Sequence, residues 1–202
     1  MLDRNKSGAN GSIDWNRIAE WTDDVAAGDL SRIHRVFDAH GATATELIWS
    51  PPVATLPPIL DFLAGYWNGL ANGNLPHRSQ IDPFAMRPAL GYVILLDVVD
   101  GGRDFRYRLY GSLLASISGF DMSGKLLSNF AASWYVTEFA IAVDRAVCRR
   151  RQAVYTRRQP VGAERVTAWH RICLPLVDDE GAVARLLVGT VPIDADGEVL
   201  RY

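Results

Sequence analysis

The 202-residue sequence predicts an α+β fold built on antiparallel strands and led by a helical extension. Three patterns carry this prediction. Residues 91–110 hold two strand-like runs joined by Asp100-Gly101-Gly102, and glycine supplies the positive φ that a tight hairpin turn needs. Residues 153–191 hold three further runs separated by short Gly-containing turns, which force antiparallel pairing. Between the two groups, and ahead of both, apolar residues recur at helical spacing. The expected order is two strands, then helices, then a three-stranded meander.

Residues 1–11 are polar and rich in Gly, Asn and Ser, a flexible start. Ser12 can cap a helix carrying Trp15, Ile18, Trp21 and Val25, which Gly28 breaks. Asp29 can cap a second short helix with Leu30, Ile33, Val36 and Phe37 on one face, and Gly41 sits where a C-terminal glycine belongs. Alternation over 42–50 hints weakly at a strand before Pro51-Pro52 interrupts it. Thr55–Leu70 reads as a helix, with Pro57 and Pro58 in its first turn and a stripe from Ile59 to Leu70. Gly91–Val99 is an apolar run; Phe105, Tyr107 and Leu109 then alternate with Arg106, Arg108 and Tyr110. Gly111–Ile117 is a short helix, Gly119–Phe130 a polar connector, and Ser133 can cap a long helix to Arg150. The meander strands are Ala153–Val161, Arg165–Leu176 and Val183–Val191.

Composition narrows the function classes. Hydrophobic residues make up 49% and charged residues 22%, which suits a globular chain with a core of its own. The longest strongly apolar run, Tyr92–Leu96, is far short of the roughly 20 residues that span a bilayer. The N-terminus has no apolar segment of a secretory signal, so a cytoplasmic location is expected. Cys148 and Cys173 form no Cys-x-x-Cys, which excludes zinc ribbons and thioredoxin-like sites. The net charge of −2 hides a segregation: residues 145–171 carry eight Arg and one Glu, whereas 172–202 carry two Arg and six acids. The basic stretch suits either phosphates or a solvated strand face paired with acidic neighbours.

Two strands, a helical crossover and a three-stranded meander is also the element order of the PAS fold. Tyr66-Trp67, the run Leu75-Pro76-His77-Arg78-Ser79-Gln80-Ile81-Asp82-Pro83, Leu95-Leu96-Asp97-Val98, Phe105–Gly111, Ser123-Gly124-Lys125 and Leu174-Pro175-Leu176 together resemble a family of short bacterial single-PAS-domain proteins. The resemblance spans 55–194, leaving 1–54 as an N-terminal helical extension and 195–202 as a C-terminal tail. It implies a five-stranded antiparallel sheet with helices packed on one face around a ligand pocket. Within the motif, Pro76 and Pro83 push their predecessors toward extended backbone, and Asp82 is placed to cap the turn through Met86. Arg78 could pair with Asp82 or Asp97.

The cofactor signatures of PAS domains are missing. The crossover 119–130 has no reactive cysteine for a flavin, and the helix 133–150 has no histidine for haem, so no cofactor or metal is expected. Phosphate-loop and nucleophile-elbow motifs are likewise absent. Strand alternation meeting helical spacing gives Phe105, Tyr107, Leu109, Tyr135, Phe139 and Val143 as pocket candidates, with His170 beside them on a strand. The same residues suit a filled core.

The resemblance therefore implies a non-catalytic sensory or regulatory protein, acting through protein–protein contact and modulated by a small organic ligand. No output domain fits in the chain, so a signal leaves through an interface, unless the chain is a fragment. Trp15, Ile18, Trp21 and Val25 are the interface candidates, and a homodimer is expected on that stripe, with the hairpin folding back over its own sheet as the rival. Two other readings stay open. A nucleic-acid binder would use Arg149–Arg151, Arg157, Arg158, Arg165 and Arg171 with Tyr155 and Trp169, against the acidic overall balance. An enzyme would need an acid–base pair such as His170 with Asp97 or Asp121.

Overall fold

The computed structural model describes residues 13–42, 45–52, 54–130, 132–160 and 165–200. Two short helices, α1 (Trp15–Ala27) and α2 (Ser31–Ala39), come first. Asp14 caps α1 by accepting from the backbone N–H groups of Asn16 and Arg17, and Gly28 closes it in a left-handed conformation. Ser12, the expected cap, lies outside the described residues. Asp29 accepts from the Ser31 N–H at the start of α2, as its position suggested.

Strand β1 (Glu46–Trp49) follows, then α3 (Pro58–Leu70), the hairpin β2 (Val93–Val99) and β3 (Asp104–Tyr110), α4 (Ser112–Ser118), the long α5 (Trp134–Arg150), and the meander β4 (Val154–Arg158), β5 (Ala168–Val177) and β6 (Val183–Ile193). The hairpin turns through Asp100, Gly101 and Gly102, all at positive φ. All strands join one antiparallel sheet in the order β1-β4-β5-β6-β2-β3.

The sheet thus has six strands, not the expected five. The extra one is β1, paired from Glu46 opposite Arg157 to Trp49 opposite Val154. It falls within 42–50, where the alternation hints at a strand; at four residues on a sheet edge the signal is short.

The helices also lie on both faces rather than one. Successive residues of a strand point to opposite faces. On β5, Arg171 and Cys173 reach Asp144 of α5, while the intervening Ile172 faces the other way. There it meets α3: a Cβ added to Gly189, which pairs with Ile172, would sit 2.6 Å from a Leu63 methyl and 2.8 Å from a Leu60 methyl. Glycine at 189 lets α3 approach the sheet backbone closely. The Leu75–Pro83 run then ties this helix down. His77 and Gln80 cap a single 3₁₀ turn reciprocally, the Tyr66 hydroxyl accepts from the Asp82 N–H, and Pro76 O accepts from the Val177 N–H of β5. Asp82 accepts from the Phe84 N–H, as expected of a cap. Asp97 pairs with Arg185 and Arg108 rather than with Arg78.

Within the chain the N-terminal helices pack mainly on α5, with Trp49 of β1 also donating to Val25 O of α1. Ile18, Trp21 and Val25 are fully or almost fully buried within this one chain, and Trp15 is partly buried. Trp21 stacks on Trp134, the Arg17 guanidinium lies over the same ring, and Arg17 grips the buried Glu138 through two hydrogen bonds of 2.6 and 2.9 Å. The stripe read as a dimer face is therefore spent inside the protomer. An amphipathic helix needs an apolar partner, and a neighbouring helix serves as well as a second copy. Among the described residues, the large exposed apolar side chains lie elsewhere, at Ile48, Phe62 and Phe84.

Candidate functional site

The site lies between α5 and the sheet face opposite α3. It is a partly enclosed cavity of about 120 Å³. Its helical wall is Val136, Phe139, Ala140 and Val143 of α5, which share one face at helical spacing. Leu114 and Ser118 of α4, with Leu127 and Phe130 of the crossover, close the side. Ile94, Leu96, Tyr107 and Tyr110 line the hairpin end of the floor.

The opposite end of the floor is polar. Thr156, Arg171 and Thr190 stand side by side on β4, β5 and β6, in register. Arg158 and Trp169 form the next row, with the Arg158 guanidinium 5.8 Å from the indole centroid. Arg171 is committed: one terminal nitrogen donates to both oxygens of the fully buried Asp144 at 2.7 and 2.8 Å. Burial pushes the Asp144 carboxyl up and Arg171 opposes it. Among the described residues no carboxylate lies within ion-pair distance of Arg158. Burial pushes its guanidinium down to about 10, so it stays charged at neutral pH. The Tyr107 phenol is pushed up by burial and remains a neutral hydroxyl.

A model of the PAS domain family matches residues 57–191, which include every cavity-lining residue just named. The chain belongs to the PAS domain family. No curated protein and no solved structure matches it. No helix among the described residues is long and apolar enough to cross a membrane.

Of the seven pocket candidates, the PAS cavity brings together Tyr107, Phe139 and Val143. The other four lie elsewhere, each for a geometric reason. Leu109 turns away because the register shifts between Leu95 and Leu96: Leu95 pairs with Leu109 and Leu96 with Tyr107, so Arg108 bulges. A bulge reverses the facing of everything beyond it, and Tyr110 enters the cavity in place of Leu109. Tyr135, one turn before Phe139, lies at the edge of that face on the side of α5 that meets α2. It packs instead on Phe37 of α2, with ring centroids 4.9 Å apart. Phe105 is fully buried in the core beside the cavity.

His170 lies on the opposite sheet face, between Trp169 and Arg171, and shares a 2.6 Å hydrogen bond with the Tyr155 hydroxyl. It does not meet the acids suggested for an acid–base pair. Asp97 is held by Arg185, and Asp121 accepts from the Ser123 N–H. Half-burial holds the imidazole below its ordinary value, with Arg157 adding to the effect. The unfolded chain takes up this proton below about pH 6.5, and the folded chain resists it. Stability is therefore expected to fall as pH drops below the unfolded value toward the lower folded one. His170→Gln removes that part of the slope, as urea melts at about pH 7.5 and about pH 5.5 would show. An unchanged slope in the variant would refute the assignment.

The Arg-rich segment does not assemble into one nucleic-acid track. Arg149 pairs with Asp23, Arg150 donates to Ala26 O and lies over Trp49, and Arg151 donates to Gly181 O. Arg157 pairs with Glu46, while Arg158 and Arg171 face the cavity. Arg149 also borders an open cleft of about 480 Å³ with Trp15, Arg103, Arg145 and Cys148. Burial pushes the Cys148 thiol there up to about 12, so it is a protonated thiol rather than a thiolate.

Sequence reasoning missed Tyr110, Thr156, Arg158, Trp169, Arg171 and Thr190. One signal was available: Thr156 and Arg158, like Trp169 and Arg171, sit two apart on their strands and so share a face.

Proposed function

We propose that this PAS protein is a sensory or regulatory module whose internal cavity binds a small organic ligand, and that ligand occupancy alters its contact with a partner protein. The observation that carries this reading is the cavity itself: a partly enclosed space with aromatic and aliphatic walls and a few convergent polar groups. A filled core of the same elements would leave no such space, since protein interiors pack to crystal-like density. Catalysis has no role in this reading, because His170 and the carboxylates named with it are each engaged elsewhere. The ligand is colourless, neither flavin nor haem. Cys148 borders the other cleft, and α5 carries no histidine.

Native mass spectrometry of freshly purified full-length protein tests the reading. A small adduct is expected in the folded ions and lost on denaturation, with no visible absorption band, and the same spectrum counts subunits. A stoichiometric coloured cofactor would overturn the colourless-ligand reading. A homogeneous ligand-free mass, unchanged after incubation with cell extract, would overturn the ligand-binding reading.

A further inference from the structure

The cavity is electrically unbalanced. Two guanidinium groups, Arg158 and Arg171, line it. The carboxylate beside this pair, Asp144, gives both oxygens to Arg171 and none to Arg158. Arg158 keeps its charge with no carboxylate counter-ion among the described residues; its neighbours are the face of Trp169, the Tyr135 phenol and the like-charged Arg171. Arg158 is partly buried, and a cation drawn out of water without a partner carries a desolvation cost that a matching anion would offset. A second group in the same floor is also unsatisfied. Thr190 Oγ1 is buried with no hydrogen-bond partner among the described residues. A hydroxyl and a guanidinium are both donors, and both lie on the cavity floor.

We infer that the ligand of this cavity is a small organic monocarboxylate, with its carboxylate on Arg158 and its apolar body against Leu114, Phe139 and Val143. The inference rests on the ligand-binding reading above and adds the ligand's charge and size. Arg158 supplies the missing electrostatic balance, since a guanidinium matches a carboxylate in a two-pronged, charge-assisted contact. The space of about 120 Å³ sets the size. A cavity of roughly 150 Å³ holds benzene, so the body is of that order, and a nucleotide or a flavin is excluded. The apolar helical wall disfavours a bare inorganic anion, which would leave that surface without a partner.

The test uses the full-length protein and probes of matched shape: benzoate with benzamide and benzylamine, hexanoate with hexanamide, and chloride as the bare anion. Binding is read by calorimetry and by the shift in melting temperature. Each carboxylate is expected to bind at least ~10-fold more tightly than its amide, the scale of one charge-assisted contact. Benzylamine and chloride are expected not to bind. Arg158→Gln should abolish the preference for carboxylate over amide, and Arg158→Lys should retain part of it. Ligand-free Arg158→Gln should melt no lower than the parent, because it removes an unpaired charge, so loss of binding is separable from loss of folding. Amides binding as tightly as carboxylates, or a preference that survives Arg158→Gln, would overturn the anion and leave the ligand-binding cavity standing. Chloride binding as tightly as benzoate would overturn the apolar body. Failure of every probe, together with a ligand-free native mass, would overturn both this inference and the reading it rests on.

Discussion

Arg171→Met is expected to destabilise the protein by about 3–5 kcal/mol, because it strands a carboxylate in the interior. The Asp144 side chain is 0% exposed, and the Arg171 side chain 18%. The Cys173 thiol is the other donor to Asp144, at 3.5 Å, a weak substitute for a guanidinium. The sign of the pH dependence follows from the same geometry. Burial already raises the Asp144 value, and removing Arg171 removes the main opposition to that rise. The cost in the variant is therefore present while Asp144 is charged, and it shrinks as falling pH protonates the group. Replacing both partners with apolar residues, Arg171→Met with Asp144→Leu, should recover most of the loss. Urea unfolding of the two variants at neutral and acidic pH measures all three expectations. A single variant within about 1 kcal/mol of the parent at neutral pH would show that the pair does not hold the charge in place.

The second large effect concerns the first 51 residues. A chain shortened to 52–202 is expected to aggregate or to lose its cooperative melting transition. Trp134, Tyr135 and Glu138 on α5 would lose Trp21, Phe37 and Arg17 together. Strand β4 would lose β1 and become an open sheet edge, a template for association. Glu138 would be left without its cation. Circular dichroism melts and size-exclusion chromatography decide the matter. A shortened chain that elutes without aggregating and melts as the parent does would show that the PAS fold is self-sufficient without the extension.

Much of this architecture was legible in the sequence, because its signals are local. The hairpin turn needs glycine at 101 and 102, α5 carries a long apolar stripe, and the meander is punctuated by short turns. Tyr107, Phe139 and Val143 were found because alternation and helical spacing hold over short distances. The misses share one cause: each depends on what the rest of the chain brings alongside. The bulge at Arg108 is a property of the β2–β3 pair, not of either strand. The edge strand β1 is hinted at over 42–50, but its place in the sheet depends on the ladder that β4 offers. The Trp15–Val25 stripe is amphipathic in isolation, and nothing in its pattern says whether the apolar partner is α5, the sheet or a second copy. Arg158 reads as a surface cation until Trp169 and the cavity are set beside it.

The position of α5 has a genetic consequence. Phe139 touches Phe37 of α2 with one side and lines the cavity with another, and Glu138 beside it holds Arg17 of α1. The helix is a party wall, and what enlarges one room narrows the other. Substitutions in the N-terminal helices and substitutions around the cavity therefore act through shared neighbours. Such energies do not simply add. A change in Ile33 or Phe37 alters which changes the cavity can accept, so the extension and the pocket are bound to vary as one unit.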